Sequence, residues 1–217
     1  MDDKLYNRTI EFLSEQFKND SSGHDLDHTL RVSRMAVTIA ENEHADVSRC
    51  ELAALMHDVD DYKLSPDTEA EHRNARSFMN RENIPDEEIE AVIHIIEQVS
   101  FSGTDTQVPD TLEGKIVQDA DRLDAIGAIG IARAFAYGGA HGRKLYDPKE
   151  IPENHLSKAE YRNHVSTTVN HFHEKLFLLK NMMNTETAKQ IAIHRDEFMH
   201  AWLDEFLLEW DGRNQFR

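Results

Sequence analysis

Residues 52–58 read Leu52-Ala-Ala-Leu-Met-His-Asp58, a run of five apolar side chains that ends in two adjacent ionisable ones. Leucine, alanine and methionine have high helix propensity, so the run predicts a buried helix. Burying a histidine beside an aspartate is costly unless another group compensates. A divalent cation compensates for both, because it binds a neutral imidazole and an ionised carboxylate together. The segment therefore predicts a helix that ends in a metal site.

The helical spacing of apolar residues extends over nearly the whole chain, and no sustained period-2 alternation indicates strands. The β-branched run 92–96 could pass for a strand, but Pro85 and the acidic residues after it are typical of a helix start. We therefore expect an all-α fold. The predicted helices lie near residues 4–18, 24–44, 48–60, 69–81, 86–99, 110–136, 157–182 and 185–209.

The 217 residues contain no linker of domain-separating length or composition. We expect a single compact multi-helix domain, residues 1–217, with a metal-binding core at about 24–136 and C-terminal helices 157–209 packed on it. The lone cysteine, Cys50, excludes a disulfide framework. The first residues lack the order of a signal peptide, and no apolar run approaches the roughly 20 residues of a membrane helix. These features favour a cytoplasmic protein.

The formal net charge of −17 constrains the partners. Such a surface repels nucleic-acid phosphates, so neither nucleic acid nor membrane is an expected partner. A small phosphorylated molecule is compatible with this charge if a bound cation and a few basic side chains receive it. We therefore expect a small phosphorylated substrate. We expect the protein to be a monomer or a homodimer.

His28 shares a helical stripe with Val32, Met35 and Ile39, so its side chain is expected to point inward. A lone inward histidine is usually a satisfied core residue. In a chain that also carries the His57-Asp58 pair, a metal ligand is the better interpretation. His57, Asp58 and His28 then leave a fourth ligand to be found.

The fourth ligand is sought in Gln118-Asp-Ala-Asp-Arg-Leu-Asp124. On a helix, Asp121 shares a face with apolar residues, as a buried site requires. Asp119 shares its face with Lys115 and Arg122, a pattern typical of a surface ion-pair network. We therefore predict Asp121 as the ligand and keep Asp119 as the lesser candidate. Asp124 is a candidate for orienting a ligand or a water.

The pattern His28 … His57-Asp58 … Asp121 resembles the signature of the HD-domain superfamily of metal-dependent phosphohydrolases. The segments His28-Thr-Leu-Arg31, Leu55-Met-His-Asp58 and Ala120-Asp-Arg-Leu123 resemble its motifs. Further segments are similar to the short bacterial subgroup related to nucleotide pyrophosphohydrolases: Gly23-His-Asp25, Ser100-Phe-Ser102, Gly142-Arg-Lys-Leu-Tyr-Asp147 and His171-Phe-His-Glu-Lys175.

This resemblance implies an HD-type helical bundle that hydrolyses a nucleotide, releasing pyrophosphate from a nucleoside triphosphate through attack of a metal-bound hydroxide on phosphorus. The nitrogen and oxygen donors suit a divalent transition metal better than Ca²⁺; we expect Mn²⁺, with Fe²⁺, Co²⁺, Ni²⁺ or Zn²⁺ as alternatives. Nucleotidase and phosphodiesterase activities on the same site remain open. So do a non-enzymatic, metal-stabilised binding module and a di-iron oxygenase, for which His94 would be the convenient extra ligand.

The resemblance also suggests roles for residues around the ion. Asp61 matches a carboxylate that serves as general acid or base in related hydrolases, with a solvent-facing helix end as the alternative. Four basic residues in family-like segments are candidates for binding substrate phosphates, or else surface charges and internal salt bridges: Arg31, Lys63, Lys144 and Lys175. His94 is expected either to touch the site or to pack in the core.

Overall fold

The computed structural model describes residues 1–18, 25–61, 71–99, 107–153 and 165–213. These residues form helices and no strand, which confirms the all-α prediction. The first seven helices are α1 (Asp3–Gln16), α2 (Leu26–Glu43), α3 (Val47–Met56), α4 (Arg73–Arg81), α5 (Asp86–Val99), α6 (Leu112–Asp124) and α7 (Gly127–Ala140). A compound segment follows: α8 (Thr168–His171), a π-helical turn (Phe172–Leu176), α9 (Phe177–Leu179) and a 3₁₀ turn (Lys180–Met182). The last helix is α10 (Glu186–Trp210).

Short polar side chains cap the starts of the helices that carry the site. Asp25 precedes α2 and accepts a hydrogen bond from the backbone N–H of His28 at 2.7 Å. Thr111 caps α6 through the N–H of Gly114. Each cap satisfies a donor that the helix leaves open, which is worth about 1 kcal/mol. The cap at Asp25 also fixes where the first turn of α2 begins, and this turn carries His28.

Helix α2 occupies the centre of the bundle. It packs against α3, α6 and α10, while α5 covers α3 and α6. Val32, Ala36 and Ile39 on its inner face are fully buried, as are Leu55 and Leu123 opposite. The contiguous apolar core includes residues from α1 to α10. None of the described helices is both long and apolar enough to cross a membrane.

The predicted helix 110–136 is broken in two. The backbone leaves the helical conformation after Asp124, Ile126 is extended, and Gly127 takes a positive φ of 77° before α7 begins. A β-carbon at Gly127 would lie 3.0 Å from the side chain of Arg195. The small and apolar run 125–132 looked continuous from helical spacing alone, and only glycine adopts this conformation without strain.

Other predicted bounds also change. Helix α3 ends at Met56, so His57 to Asp60 lie in the turn after it instead of within a helix 48–60. The α4 helix begins at Arg73, where Asp60 accepts hydrogen bonds from the N–H groups of Asn74 and Ala75 at 3.1 and 3.0 Å. Of the predicted helix 157–182, residues 157–164 lie outside the described part, residues 165–167 are not helical, and α8 begins at Thr168.

Candidate metal centre

Three elements bring the candidate ligands together. His28 lies in the first turn of α2, and Asp121 lies in the last turn of α6, which packs against it. His57 and Asp58 follow α3, where the turn after Met56 directs both side chains toward α2 and α6. His28 has no exposed surface, and both residues of the pair are buried. The site is therefore built into the packing of the bundle.

His28, His57 and Asp58 each bring a donor atom to within 4.8 Å of the others, and Asp121 lies beside the two histidines. Nε2 of His28 lies 3.4 Å from both Oδ2 of Asp58 and Oδ1 of Asp121. Nε2 of His57 lies 3.1 Å from Oδ2 of Asp58 and 4.0 Å from Oδ1 of Asp121. Donors held about 2.1 Å from one ion lie about 3 Å apart at right angles and about 4 Å apart when opposite. These separations therefore fit ligands of a single divalent ion.

The two imidazoles are oriented by hydrogen bonds on their far edges. Nδ1 of His57 lies 2.7 Å from the carbonyl oxygen of Ala54, and Nδ1 of His28 lies 2.7 Å from Oδ2 of Asp124. In both rings Nδ1 then carries the proton, and Nε2 offers its lone pair. Nε2 of His57 is buried and makes no hydrogen bond with the described residues. A buried nitrogen left in this state is what a metal ligand requires.

Asp124 lies behind His28, on the side away from the converging donors. Its carboxylate also accepts two hydrogen bonds from Arg31, at 2.7 and 3.0 Å, and one from Arg133. Burial alone would raise its pKa, but His28 and the two arginines hold the pKa well below its usual value. Asp124 is thus a permanent anion that orients His28. Arg31 uses its guanidinium to bind this carboxylate.

The pKa values of His28 and His57 are raised, so in the metal-free fold both side chains tend to hold protons that a metal ion would replace. Burial opposes the charged form of His28, yet Asp121, Asp124 and Asp58 raise its pKa well above the usual value. Burial likewise opposes the charge on His57, and Asp58 and Asp121 raise its pKa. Burial would raise the pKa of Asp121, but the two histidines lower it. The carboxylates of Asp58 and Asp121 therefore favour positive charge between the two imidazoles, either as bound protons or as a cation.

The prediction that Asp119 belongs to a surface ion-pair network is wrong. Asp119 has no exposed surface, and its carboxylate accepts hydrogen bonds from the N–H groups of Asn184 and Thr185 and from the Thr185 hydroxyl. The guanidinium of Arg122 donates to the carbonyl oxygen of Met182. Helical spacing within α6 contains no information that the start of α10 packs against this face.

Asp61 follows the turn that carries the pair. It is half-buried, and its N–H donates to the carbonyl oxygen of Asp58 at 3.1 Å. This connection keeps the Asp61 backbone within one turn of a candidate ligand, while its proton-transfer role stays a prediction. Lys63 lies outside the described residues.

The remaining candidates lie in three different places. His94 is exposed on α5, and its Nε2 lies 2.9 Å from Oδ1 of Asp110. Its described contacts therefore place it neither at the cluster nor in the core, the two positions predicted for it. Lys144 is exposed and binds Asp147 at 2.8 Å. Lys175 is half-buried in the π-helical turn. The described contacts do not bring these three to the cluster.

Arg133 escaped the sequence analysis. It donates a hydrogen bond to the Asp124 carboxylate, which in turn orients His28. A signal was present, because Arg133 is the only charged residue in α7, whose other members are small, apolar or aromatic. A single charge in such a helix is expected to have a buried partner.

The all-α fold and the His and Asp cluster define the class of this protein. The HD-domain family matches residues 25–126, and the chain belongs to this family. An HD-superfamily hydrolase of Bacillus thuringiensis has the same fold, with a TM-score of 0.77 and 41% identity, covering 97% of this chain and 98% of the other. The chain is accordingly a hydrolase of the HD superfamily, a group whose domains bind divalent metals.

Two further relatives match over most of the chain. YpgQ of Bacillus subtilis is 41% identical over 183 residues, covering 83% of this chain and 82% of the relative. The crystal structure of YpgQ in complex with ADP matches with a TM-score of 0.72, 40% identity, and coverage of 91% and 95%. A Lactobacillus plantarum protein matches with a TM-score of 0.83, 40% identity, and coverage of 98% and 99%.

Proposed function

We propose that this protein is a metal-dependent nucleotide phosphohydrolase that converts a nucleoside triphosphate to the monophosphate and pyrophosphate. The observation that carries the proposal is the convergence of two histidine nitrogens and two carboxylate oxygens in an HD fold, with nitrogen–oxygen separations of 3.1 to 4.0 Å. The mixed nitrogen and oxygen donors suit a divalent transition metal better than Ca²⁺; Mn²⁺ is the proposed ion, with Fe²⁺, Co²⁺, Ni²⁺ and Zn²⁺ as alternatives.

The bound ion would polarise a phosphoryl oxygen and make a water molecule more acidic. The chain's own residues supply the geometry. Asp124 and the Ala54 carbonyl hold the two histidines in the tautomer that presents Nε2. Asp61, next to the ligand pair, is proposed to accept or return the proton of the attacking water or the leaving group. Hydrolysis breaks one P–O bond of the bridge between the α- and β-phosphates. The attacked phosphorus takes the oxygen of the water, and the bridging oxygen leaves with the other phosphate.

The nucleotide is supported by the relatives more than by the geometry. YpgQ binds ADP in its crystal structure at 40% identity to this chain, which favours a nucleotide as the substrate here. Lys63 and Lys175 are proposed phosphate-binding residues. Lys144 would have to exchange Asp147 for substrate, and Arg31 is proposed to act through Asp124 as a positioning residue. His94 is proposed at most for an outer part of the substrate.

A nucleotide panel tests the proposal. Full-length protein loaded with Mn²⁺ is incubated with nucleoside tri-, di- and monophosphates and with a phosphodiester, and pyrophosphate and orthophosphate are measured separately. Pyrophosphate release from triphosphates is expected. Orthophosphate release alone would indicate a nucleotidase, and cleavage of the diester alone a phosphodiesterase. A metal-loaded protein that is inert on every substrate would contradict hydrolysis and favour a binding module.

Ligand substitutions provide the second test. His57→Ala and Asp58→Ala are each expected to abolish metal retention and turnover, because each removes a donor and leaves the others unsatisfied. His141→Ala is the matched control, since His141 is exposed and contacts Tyr137, through its carbonyl oxygen at 2.9 Å and its ring, away from the cluster. Metal content by elemental analysis and circular dichroism separate loss of the ion from loss of the fold.

A further inference from the structure

A cavity of about 240 Å³ lies between α2, the α6–α7 junction and α10. Arg31, Arg34 and Arg195 line it, and Asp124 is the single acidic residue of its lining. Three guanidinium groups against one carboxylate leave an excess of two positive charges. In a chain whose net charge is −17, this is a local reversal of sign. A concave surface with this charge is suited to an anion.

The cavity is separate from the candidate metal centre. His57, Asp58 and Asp121 do not belong to its lining. Asp124 forms the shared wall: Oδ2 of Asp124 contacts Nδ1 of His28, whereas the converging donors include Nε2 on the other edge of that ring. An anion in this cavity would therefore face the arginines and not the ion.

Of the three arginines that line the cavity, only Arg31 forms an ion pair with Asp124. Arg31 binds Asp124 through two hydrogen bonds and so is compensated. Arg34 is exposed on α2 and makes no ion pair with the described residues. Arg195 donates to the carbonyl oxygen of Leu123; burial lowers its pKa, and the nearby Asp124 carboxylate offsets this only in part. Arg34 therefore has no acidic partner among the described residues. Arg195 is only partly balanced by Asp124, which already binds Arg31 and Arg133.

A second cavity, of about 330 Å³, adjoins the first and shares Ile129 and Arg195 with it. The first turn of α7 lines it, and Ile126 provides no side-chain cap there. Phe198 and Ile129 present apolar surface, being 46% and 45% exposed. The two cavities together offer guanidinium groups beside apolar side chains, which suits a phosphate group attached to a less polar body.

We propose that this arginine-lined groove, formed by Arg31, Arg34, Arg195, Ile129 and Phe198, binds the phosphate groups of a small anion at a site distinct from the metal centre. Planar guanidinium groups bind phosphate oxygens in pairs, and an anion here would balance Arg34 and Arg195. The source of the phosphate is either inorganic phosphate and pyrophosphate or a nucleotide.

Calorimetric titration tests this site in full-length protein kept free of metal with EDTA. Pyrophosphate is expected to bind saturably to the wild type and at least about tenfold more weakly to Arg34→Ala, which loses a charge-assisted hydrogen bond. Arg34→Lys is expected to recover part of the affinity. Arg73→Ala is the control, since Arg73 is exposed, pairs with Glu71 and lies outside the groove. Arg34 is exposed, so its replacement preserves the fold; Arg195→Ala serves as a second variant.

Two comparisons separate this site from the proposed function. His57→Ala, which removes a metal ligand, is expected to bind pyrophosphate as the wild type does. AMP that binds more tightly than orthophosphate would identify a nucleotide as the source, and equal affinities would identify the free phosphate. Absence of saturable binding, an unchanged dissociation constant in Arg34→Ala, or loss of binding in His57→Ala would each overturn the proposal.

Discussion

Nδ1 of His28 and Oδ2 of Asp124 are joined by a buried 2.7 Å hydrogen bond between the first turn of α2 and the last turn of α6. The bond has two consequences. It directs Nε2 of His28 toward Asp58 and Asp121, and it keeps Asp124 out of the group of converging donors. Arg31 and Arg133 hold the same carboxylate from other sides. The orientation of one candidate ligand thus depends on residues that never face the ion.

Asp124→Asn is expected to weaken Mn²⁺ binding about 10- to 100-fold, the usual effect of losing a carboxylate behind a histidine ligand. The amide can still accept a hydrogen bond, but it no longer balances Arg31 and Arg133. Calorimetry with Mn²⁺ measures the change, and circular dichroism verifies the fold. Metal affinity equal to that of the wild type would show that the negative charge of Asp124 does not contribute to metal binding.

Asp61→Asn is expected to retain the metal and lose activity by a factor of about 10² to 10⁴, the range for removal of a general acid or base. The side chain remains isosteric, so His57 and Asp58 keep their positions. Metal content and turnover on the best nucleotide are measured on the same preparation. Full turnover in this variant would remove Asp61 from the reaction.

Asp119→Ala is expected to destabilise the fold by about 1–3 kcal/mol while leaving the metal centre in place. The substitution removes the acceptor for two backbone N–H groups and a hydroxyl at the start of α10, and buried donors without partners carry this cost. Urea unfolding gives the free energy, and Mn²⁺ stoichiometry is determined on the folded protein. A loss of bound Mn²⁺ with unchanged stability would instead make Asp119 a ligand.

Stabilisation by metal is expected to increase with pH. The pKa of both His28 and His57 is raised in the metal-free fold, so their protonated forms add stability that is complete below the unfolded value of about 6.5 and is lost as pH rises through the folded values. An ion competes with those protons and replaces them at higher pH.

Thermal unfolding with EDTA and with Mn²⁺, at several pH values between about 6 and 9, measures this difference. The gap between the two melting temperatures should widen as pH increases and should disappear in Asp58→Ala. A gap independent of pH would mean that the metal does not displace protons from the histidines.

Gly127→Ala is expected to destabilise the protein by about 1–2 kcal/mol or more, because an L-residue with a side chain is strained at positive φ. The new methyl group would also lie 3.0 Å from Arg195. Gly139→Ala is the control, since a β-carbon there meets no atom within 4 Å. Chemical denaturation of the two variants should separate them clearly. Equal stability of both would contradict the strained junction between α6 and α7.

The helical class and most helix positions could be predicted from local patterns. Apolar spacing located α5 at residues 86–99 without error, and the predicted 185–209 lies one residue from α10. The junction at Gly127 was missed because small and apolar residues are compatible with a continuous helix. The fold there follows from the approach of Arg195, which a local pattern does not contain.

The sequence by itself determined that His57 and Asp58 directly follow an apolar helix, that His28 points inward, and that Asp121 shares a helical face with apolar residues, because these properties depend on helical periodicity within one segment. Only the tertiary structure decided that Asp119 receives the start of α10, that Asp124 and Arg133 stand behind His28, and that Arg34 and Arg195 meet in one groove. Such relations join residues far apart in the chain, and the packing of separate helices sets them.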